Sequence, residues 1–278
     1  MTDSPRRPSG LEPSSLVHPA GLALYEKPAL DAPDGVLICV HGSLDKGRSF
    51  ARVARRLANL DVIAYDRRGY QGSRAVAPAA DLGVQVDDLL EVISLVEGRG
   101  PITVFGHSLG GLIALCATVA WPRSMDSLCV FEAPLGWLLA PRATPEPATT
   151  RPPGEQAEAF FRTMTSDASW DRLSDAERAT RRADGPALVA DLAMSRGTAP
   201  FSEHELAGIE IDVVVATGSL TQSTRYGEGA RVLLDQVPSA REAIVEGAGH
   251  GAHLTHPDGL ARVLEMTVQL GSLKSSAR

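Results

Sequence analysis

The segment Gly106-His107-Ser108-Leu109-Gly110-Gly111 places one serine between an apolar run, residues 102–105, and a helical pattern over residues 109–120. A serine hydroxyl is a weak nucleophile, and a tight strand-to-helix turn exposes it to a general base. Such a turn needs glycine on both sides because neighbouring side chains would collide there. The helix N-terminus also stabilises developing negative charge. The segment therefore predicts an α/β fold with Ser108 as a nucleophile.

Short apolar runs and helical patterns alternate along most of the chain, which predicts a parallel sheet with helices as connections. Each short apolar run is expected to be a buried strand. The predicted strands cover residues 36–40, 62–65, 102–105, 128–131, 211–216 and 242–246. The predicted helices cover residues 49–60, with Ser49 as a cap, 84–96, 109–120 and a C-terminal segment around 260–270.

Five prolines between residues 140 and 154 interrupt this alternation and exclude a regular element there. Helical segments follow, since Ser174 and Glu177 match a capping box and Pro186 suits the first turn of the next helix. Because strands are predicted on both sides, these helices are expected to form a cap that is entered through a mobile hinge. The expected organisation is a disordered tail over residues 1–15, a core over 16–136 and 206–271, a helical cap over 137–205 and a tail over 272–278.

The formal net charge of −7, from 27 basic and 34 acidic side chains, argues against nucleic acid as a partner. The short clusters Arg55-Arg56 and Arg67-Arg68 are expected to lie on solvated surface. No apolar run approaches the ~18 residues of a membrane span, and the N-terminus lacks the apolar core of a signal peptide. We therefore expect a cytoplasmic protein without a membrane partner.

Three cysteines, Cys39, Cys116 and Cys129, lie in apolar surroundings without Cys-x-x-Cys spacing, and we expect them to be buried and reduced. The chain has neither a Gly-x-Gly-x-x-Gly fingerprint nor a phosphate-binding loop, so no cofactor is expected. His253 and His256 follow His250 at spacings of three residues, which could suggest metal ligands. No acidic or cysteine side chain has a spacing that completes a metal site with them. No metal is therefore expected.

Four motifs together resemble the α/β-hydrolase superfamily, and the resemblance runs over residues 16–270. They are the serine turn, His41-Gly42, a turn over residues 66–73 that is similar to the family's Asp-x-Arg-Gly turn, and Gly247-Ala248-Gly249-His250. The resemblance implies an α/β fold with a mostly parallel α/β-hydrolase sheet flanked by helices, and with a helical cap inserted after strand 6. It also implies an oxyanion hole formed by the backbone N–H groups of Ser43 and Leu109, and a bracing role for Asp66.

The resemblance places a general base and an acid after the serine in the chain. His250, on the loop after the last predicted strand, is the expected base. The family's usual carboxylate position holds Thr221, which cannot stabilise an imidazolium, so either the acid comes from elsewhere or the site is a dyad. Glu132 is the expected acid, because Glu132-Ala133-Pro134 is similar to the Tyr-Glu-Pro-Pro segment of a subgroup without the later aspartate. Asp212, at the wrong end of a strand, and Glu228, in a loop, are poorer candidates.

These roles imply a serine hydrolase that cleaves an ester, lactone or thioester bond of a small to medium apolar acyl compound without a cofactor. Trp137 and Leu138, which follow the acid, are expected to line the substrate pocket. His41 and His107 are expected to orient backbone groups rather than to transfer protons.

Other interpretations stay open at this point. Carbon–carbon bond hydrolysis and cofactor-free peroxidase chemistry occur within the superfamily, whereas a serine at the turn argues against dehalogenases and epoxide hydrolases, which use aspartate there. The missing later acid leaves room for a non-catalytic small-molecule-binding or scaffold protein on the same fold. The sequence leaves the oligomeric state open between monomer and homodimer.

Overall fold

The computed structural model describes residues 10–140 and 150–275. Its centre is a sheet of eight strands in the order β1-β2-β4-β3-β5-β6-β7-β8. Strands β3 to β8 are parallel, whereas β2 pairs antiparallel with both β1 and β4. The strands are β1 Glu12–Pro13, β2 Leu24–Lys27, β3 Gly35–Val40, β4 Leu60–Tyr65, β5 Ile102–His107, β6 Ser127–Phe131, β7 Asp212–Gly218 and β8 Ala240–Val245.

Helices connect the parallel strands and fill the long segment between β6 and β7. The α-helices are α1 Ala51–Ala54, α2 Leu82–Ser94, α3 Leu109–Ala120, α4 Pro153–Met164, α5 Asp167–Asp171, α6 Asp175–Ala183, α7 Gly185–Ser195, α8 Glu203–Leu206, α9 Thr224–Gln236, α10 Ala252–Thr255 and α11 Pro257–Ser275. Among the described residues, no helix combines the length and the hydropathy that a membrane span requires.

The sheet is covered on both faces, so its central strands are apolar throughout. Successive side chains of a strand point to opposite faces. On β3, Val36, Ile38 and Val40 therefore pack with α2, α3 and α9, whereas Leu37 and Cys39 pack with α1 and α11. All five side chains are at most 1% exposed. The core thus consists of two apolar layers separated by the sheet.

Helices α4 to α7 form the cap, in which α4 packs against α6 and α7. Ser174 caps α6 through the predicted capping box with Glu177. Ala157 and Leu188 form a small apolar cluster with Leu44, which lies on the loop after β3. The cap therefore shares part of its core with a loop at the sheet edge.

The predicted fold class, a mostly parallel sheet flanked by helices with helices inserted after the sixth strand, is confirmed. The domain boundaries stay predictions. Residues 1–9, 141–149 and 276–278, on which parts of the predicted tails and of the mobile hinge fall, lie outside the described residues.

Two local predictions are wrong. Residues 10–15 belong to the ordered fold and not to a disordered tail, because Leu11 is fully buried against the α1 layer and Glu12 pairs with Glu26 of β2. The helix predicted over residues 49–60 is only a 3-10 turn followed by the single turn of α1. The Ser49 hydroxyl donates to the Lys46 carbonyl oxygen at 2.7 Å and does not cap α1.

The three cysteines are free and buried, as predicted. Burial raises the pKa of Cys116 and of Cys129 to about 12, so neither side chain is a thiolate near neutral pH. This state fits a packing role better than a nucleophilic one.

Candidate active site

The predicted site residues meet at one edge of the sheet. Ser108 follows β5, Glu132 follows β6 and His250 lies on the loop after β8, so all three are beyond the carboxyl ends of parallel strands. This edge is where open α/β sheets bind their ligands. The parallel topology alone therefore brings together residues that are far apart in the sequence.

Ser108 occupies a strained turn, with φ 53° and ψ −122°. Its N–H donates to the Phe131 carbonyl oxygen at 2.8 Å, which ties the turn to the end of β6. A Cβ on Gly106 would lie 2.5 Å from Gly111 Cα, and a Cβ on Gly110 would collide with the Val40 carbonyl oxygen. Both glycines are therefore required by backbone packing around the serine.

Glu132 and His250 are in direct contact. The Glu132 Oε2 lies 2.6 Å from His250 Nδ1, and the carboxylate is buried. A carboxylate only accepts hydrogen bonds, so the imidazole carries its proton on Nδ1 and its Nε2 is free to accept one. The pair therefore has the geometry of an acid that orients a base.

Thr221 completes the surroundings of the carboxylate. Its hydroxyl donates to Glu132 Oε1 at 2.5 Å, and the Gly218 N–H donates to the same oxygen at 2.8 Å. The residue at the family's usual acid position thus binds the candidate acid, which follows β6. The prediction that the acid comes from elsewhere agrees with this arrangement, although the role of Thr221 itself was missed.

His107 binds the backbone of the loop that carries the candidate base. Its Nε2 donates to the His250 carbonyl oxygen at 2.8 Å. Burial, followed by the proximity of His253 and His250, lowers the pKa of His107 well below its usual value. A neutral ring that contacts backbone fits the orienting role predicted for this histidine.

The candidate oxyanion residues lie beside Ser108. A Cβ on Gly42 would be 2.9 Å from Ser108 Cβ, so the chain that leads into Ser43 passes directly against the serine. Leu109 is the first residue of α3, where a backbone N–H has no acceptor within the helix. The structure thus places both predicted donors next to the turn that carries Ser108.

His41 fixes the peptide that precedes Ser43. Its Nε2 accepts from the Arg67 N–H at 2.9 Å, so Nδ1 carries the proton and donates to the Gly42 carbonyl oxygen at 2.7 Å. Burial and the charge of Arg67 lower the pKa of His41, which keeps the ring neutral. This contact to backbone is the role that the sequence predicted.

The prediction that Arg67 lies on solvated surface is wrong. Its side chain is fully buried and pairs with Asp191 of α7 at 2.7 Å. A buried guanidinium needs both a carboxylate and hydrogen-bond acceptors, and Asp191 and the backbone carbonyls of residues 41 and 42 supply them. Arg56, in contrast, pairs with Asp258 at the surface.

Asp66 braces the same region, as the resemblance implied. Its Oδ1 accepts from the Gly47 N–H at 2.8 Å, and its Oδ2 accepts from the Gly72 N–H at 2.9 Å and the Tyr25 hydroxyl at 2.7 Å. These bonds connect two loops and β2. The saturated carboxylate has the surroundings of a structural group.

One group of described side chains could hold a metal ion. Ligand atoms of Asp45, His107 and His253 lie within 4.8 Å of one another. Spacing along the sequence offered no acidic partner for His253, and the fold supplies Asp45 from the distant loop after β3. Asp45 Oδ2 is 3.2 Å from His253 Nε2, and although burial alone would raise the pKa of Asp45, His253 lowers it well below its usual value. The geometry is that of a contact between a carboxylate and an imidazole beside the site.

Tyr226 of α9 stacks on His250 and was not found from the sequence. The two rings are 4.6 Å apart and only 8° from parallel. An aromatic face next to an imidazole restrains the orientation of the imidazole. It would also attract the positive charge that His250 gains if it acts as a base.

We expect Tyr226→Leu to lower kcat by about 3- to 30-fold, since a cation–π contact contributes about 0.5–2 kcal/mol. Tyr226→Phe keeps the stacked face and is expected to stay within about threefold of the wild-type kcat. Steady-state hydrolysis of a chromogenic ester measures both variants. Equal losses in the two variants would contradict a role for the ring.

Trp137 and Leu138, which were expected to line the substrate pocket, line a different cavity. They line an open cavity of about 660 Å³ together with residues 199–205, and Trp137 Nε1 donates to the Phe201 carbonyl oxygen at 3.0 Å. Among the described residues, its lining does not include Ser108, Glu132 or His250. The substrate-binding role of Trp137 and Leu138 therefore stays a prediction.

Known proteins share parts of this sequence. A sequence model of the alpha/beta hydrolase family matches residues 37–263. Lipase LipV of Mycobacterium tuberculosis is 29% identical over 96 residues, which is 34% of this chain and 36% of the lipase. Monoglyceride lipase of Rattus norvegicus is 31% identical over 134 residues, which is 45% of this chain and 41% of the lipase. The matched regions thus span about two fifths of the length of these relatives.

Solved structures share the fold at low sequence identity. A serine hydrolase involved in carbazole degradation aligns with a TM-score of 0.68 and 19% identity over 94% of this chain and 99% of that chain. A bromoperoxidase from Bacillus anthracis aligns with a TM-score of 0.69 and 17% identity over 94% of this chain and 99% of that chain. Structural similarity at this level of identity establishes the fold. The chemistry has to be inferred from the residues of the site.

Proposed function

The chain belongs to the alpha/beta hydrolase family, and on that premise we propose that it is a serine hydrolase with Ser108, His250 and Glu132 as its triad. The proposed substrate is an ester, lactone or thioester of a small to medium apolar acyl compound. The contact of 2.6 Å between the buried Glu132 and His250 Nδ1 carries the proposal, because it leaves the opposite nitrogen of the imidazole as a base.

The first half of the proposed reaction forms an acyl-enzyme. Ser108 Oγ attacks the acyl carbonyl carbon while His250 Nε2 takes the hydroxyl proton. The backbone N–H groups of Ser43 and Leu109 stabilise the oxyanion of the tetrahedral intermediate. When that intermediate collapses, the bond to the leaving group breaks and the leaving group takes the proton from His250.

The second half releases the acid. Water attacks the acyl carbon of the ester on Ser108, and His250 accepts a proton from that water. The second tetrahedral intermediate expels Ser108 Oγ, which regains the proton. Glu132 stabilises the imidazolium, and the hydrogen bonds from Gly218 and Thr221 support the negative charge of its carboxylate.

The ester class is supported by relatives that are named lipases, LipV and monoglyceride lipase. The fold similarity to a bromoperoxidase shows architecture only and does not favour peroxidase chemistry for this chain. A cytoplasmic location, the absence of a cofactor and the choice between monomer and homodimer stay predictions.

A panel of p-nitrophenyl esters from acetate to palmitate, with acyl thioesters and lactones beside it, tests the proposal. We expect the highest kcat/KM for short to medium acyl chains and no requirement for an added metal or cofactor. The Ser108→Ala variant is the control for spontaneous hydrolysis. If no acyl compound is turned over above this control, the acyl-transfer proposal is wrong and the non-catalytic binding interpretation replaces it.

A further inference from the structure

We propose that Asp191, on cap helix α7, is a positioning residue for the oxyanion hole and acts through Arg67 and Tyr70. The cap would then set the geometry of the catalytic core as well as cover it. This inference rests on the proposed function, since it assigns Ser43 N–H as an oxyanion donor.

Arg67 provides the first connection. Its Nη1 and Nη2 donate to the two oxygens of Asp191 at 3.0 and 2.7 Å. The same guanidinium donates from Nε to the His41 carbonyl oxygen at 2.9 Å and from Nη2 to the Gly42 carbonyl oxygen at 3.1 Å. The Arg67 guanidinium therefore binds the cap carboxylate and two successive carbonyls of residues 41–44, which we call the oxyanion loop.

Fixing the Gly42 carbonyl also fixes the Ser43 N–H. The two groups belong to the same planar peptide, and in a trans peptide they point in opposite directions. The described chain contains no cis peptide bond. A rotation of this peptide away from the oxyanion would break the bond from Arg67, so the guanidinium opposes that rotation.

Tyr70 provides the second connection. Its hydroxyl donates to Asp191 Oδ2 at 2.6 Å and accepts from the Leu44 N–H at 3.2 Å. Leu44 has φ 56°, a backbone conformation that a leucine rarely adopts without support from its surroundings. The peptides on both sides of Ser43 are therefore held by groups that converge on the same carboxylate.

The oxyanion loop also contacts the cap directly. The Leu44 side chain packs with Ala157 and Leu188 of the cap, and the Leu44 carbonyl oxygen accepts from Arg181 Nη1 of α6 at 3.3 Å. Asp191, Arg67 and Tyr70 are each at most 1% exposed. In such an environment, charged hydrogen bonds are directional and their loss is not compensated by water.

A matched pair of cap variants separates positioning from cap anchoring. Asp184, between α6 and α7, is buried like Asp191 and binds Arg74 Nη2 at 2.5 Å and the Gln71 N–H at 3.3 Å. It therefore attaches the cap to the core without binding the oxyanion loop. We expect Asp191→Asn and Asp184→Asn both to lower Tm, but to affect catalysis differently.

The kinetic expectation follows from the loss of one oriented oxyanion donor. Complete removal of an oxyanion donor lowers kcat by about 10²–10³-fold. A donor that is displaced but still present is expected to lower kcat by about 10- to 100-fold. Asp191→Asn should therefore lower kcat at least tenfold with KM within threefold, whereas Asp184→Asn should keep kcat within threefold. Equal kcat values for the two variants, or a kcat loss that follows Tm in both, would overturn the proposal.

A second measurement does not depend on turnover. Hydrogen exchange followed by mass spectrometry should show faster exchange over residues 42–46 in Asp191→Asn, and over residues 71–74 but not 42–46 in Asp184→Asn. If the wild type hydrolyses no acyl compound but this pattern appears, the proposed function fails while the coupling between cap and loop stands. If residues 42–46 exchange alike in both variants, the coupling itself is refuted.

Tyr70→Phe provides a milder test if Asp191→Asn does not fold. It removes the hydroxyl that joins Asp191 to the Leu44 N–H and keeps the packing of the ring and the Arg67 pair. We expect a kcat loss of about 3- to 10-fold, since one of the two connections remains, and faster exchange over residues 42–46. A Tyr70→Phe variant with wild-type kcat and exchange would contradict the second connection.

Discussion

Replacing Ser108 with alanine is expected to abolish ester turnover and to leave Tm within a few degrees of the wild-type value. The variant lacks the atom that forms the acyl-enzyme, and loss of a triad member typically lowers kcat by about 10⁴-fold or more. The turn tolerates the change, because alanine is as strained as serine at φ 53° and the N–H bond to Phe131 involves only backbone. Steady-state ester hydrolysis and thermal unfolding measure the two effects.

Ser94→Ala, on the exposed surface of α2, is the matched control for removal of a hydroxyl and should leave kcat unchanged. The residual rate of ester hydrolysis in Ser108→Ala is expected to lie at or slightly above the spontaneous rate. Any excess would come from substrate binding and from stabilisation by the oxyanion donors. Activity near wild type in Ser108→Ala would show that a different residue performs the chemistry.

Glu132→Gln is expected to lower kcat by about 10³–10⁴-fold with little change in KM. The carboxylate accepts from Gly218 N–H, Thr221 hydroxyl and His250 Nδ1, and a glutamine offers one oxygen and one amide nitrogen to these three donors. At least one donor then faces an N–H group, and the imidazolium loses its counter-charge. Steady-state kinetics on the best ester of the panel gives both constants.

Asp212→Asn and Glu228→Gln also test the assignment of Glu132 as the acid, because they replace the two alternative candidates. Asp212 lies at the start of β7, at the opposite end of the strand from the site, and Glu228 is exposed on α9. Both variants should retain kcat within about twofold. If Glu132→Gln is nearly silent while either of these replacements is severe, the acid has been assigned to the wrong residue.

The candidate catalytic residues lie in local motifs that can be recognised in the sequence, and the structure brings Glu132 and His250 into contact. Ser108 follows from its glycines and from the strand and helix around it, and His250 follows from a Gly-x-Gly-His segment after the last strand. Glu132 is the candidate acid because Thr221 occupies the usual acid position and a glutamate follows the neighbouring strand. In each case, the residue and the element that places it are adjacent in the chain.

The residues that support the site were not predictable, because their partners are distant in sequence and carry no local pattern. Arg67 was predicted to be solvent-exposed, because its buried partner Asp191 lies 124 positions later in the chain. Tyr226 lies in α9, a helix with two glycines that was not predicted, and only the sheet topology brings it onto His250. Asp45 reaches His253 in the same way, from a loop after β3.

The short strands β1 and β2 were not predicted from the sequence. β1 and β2 contain two and four residues, and β2, Leu-Tyr-Glu-Lys, lacks the apolar run of a central strand. β2 is placed by its pairing with β4, and β1 by its pairing with β2 and by the burial of Leu11. Neither feature leaves a periodic pattern in the sequence. The formation of these two strands therefore depends on tertiary contacts and not on a local sequence pattern.

Covalent labelling by a fluorophosphonate, followed by intact-mass measurement, tests the central claim most directly. The Ser108 hydroxyl should displace fluoride at phosphorus, giving one phosphonyl group per chain in the wild type and none in Ser108→Ala. The rate should fall as the medium is acidified, because a protonated His250 cannot accept the serine proton. A folded wild-type protein that is not labelled at any pH, or labelling that persists in Ser108→Ala, would contradict the assignment of Ser108 as an activated nucleophile.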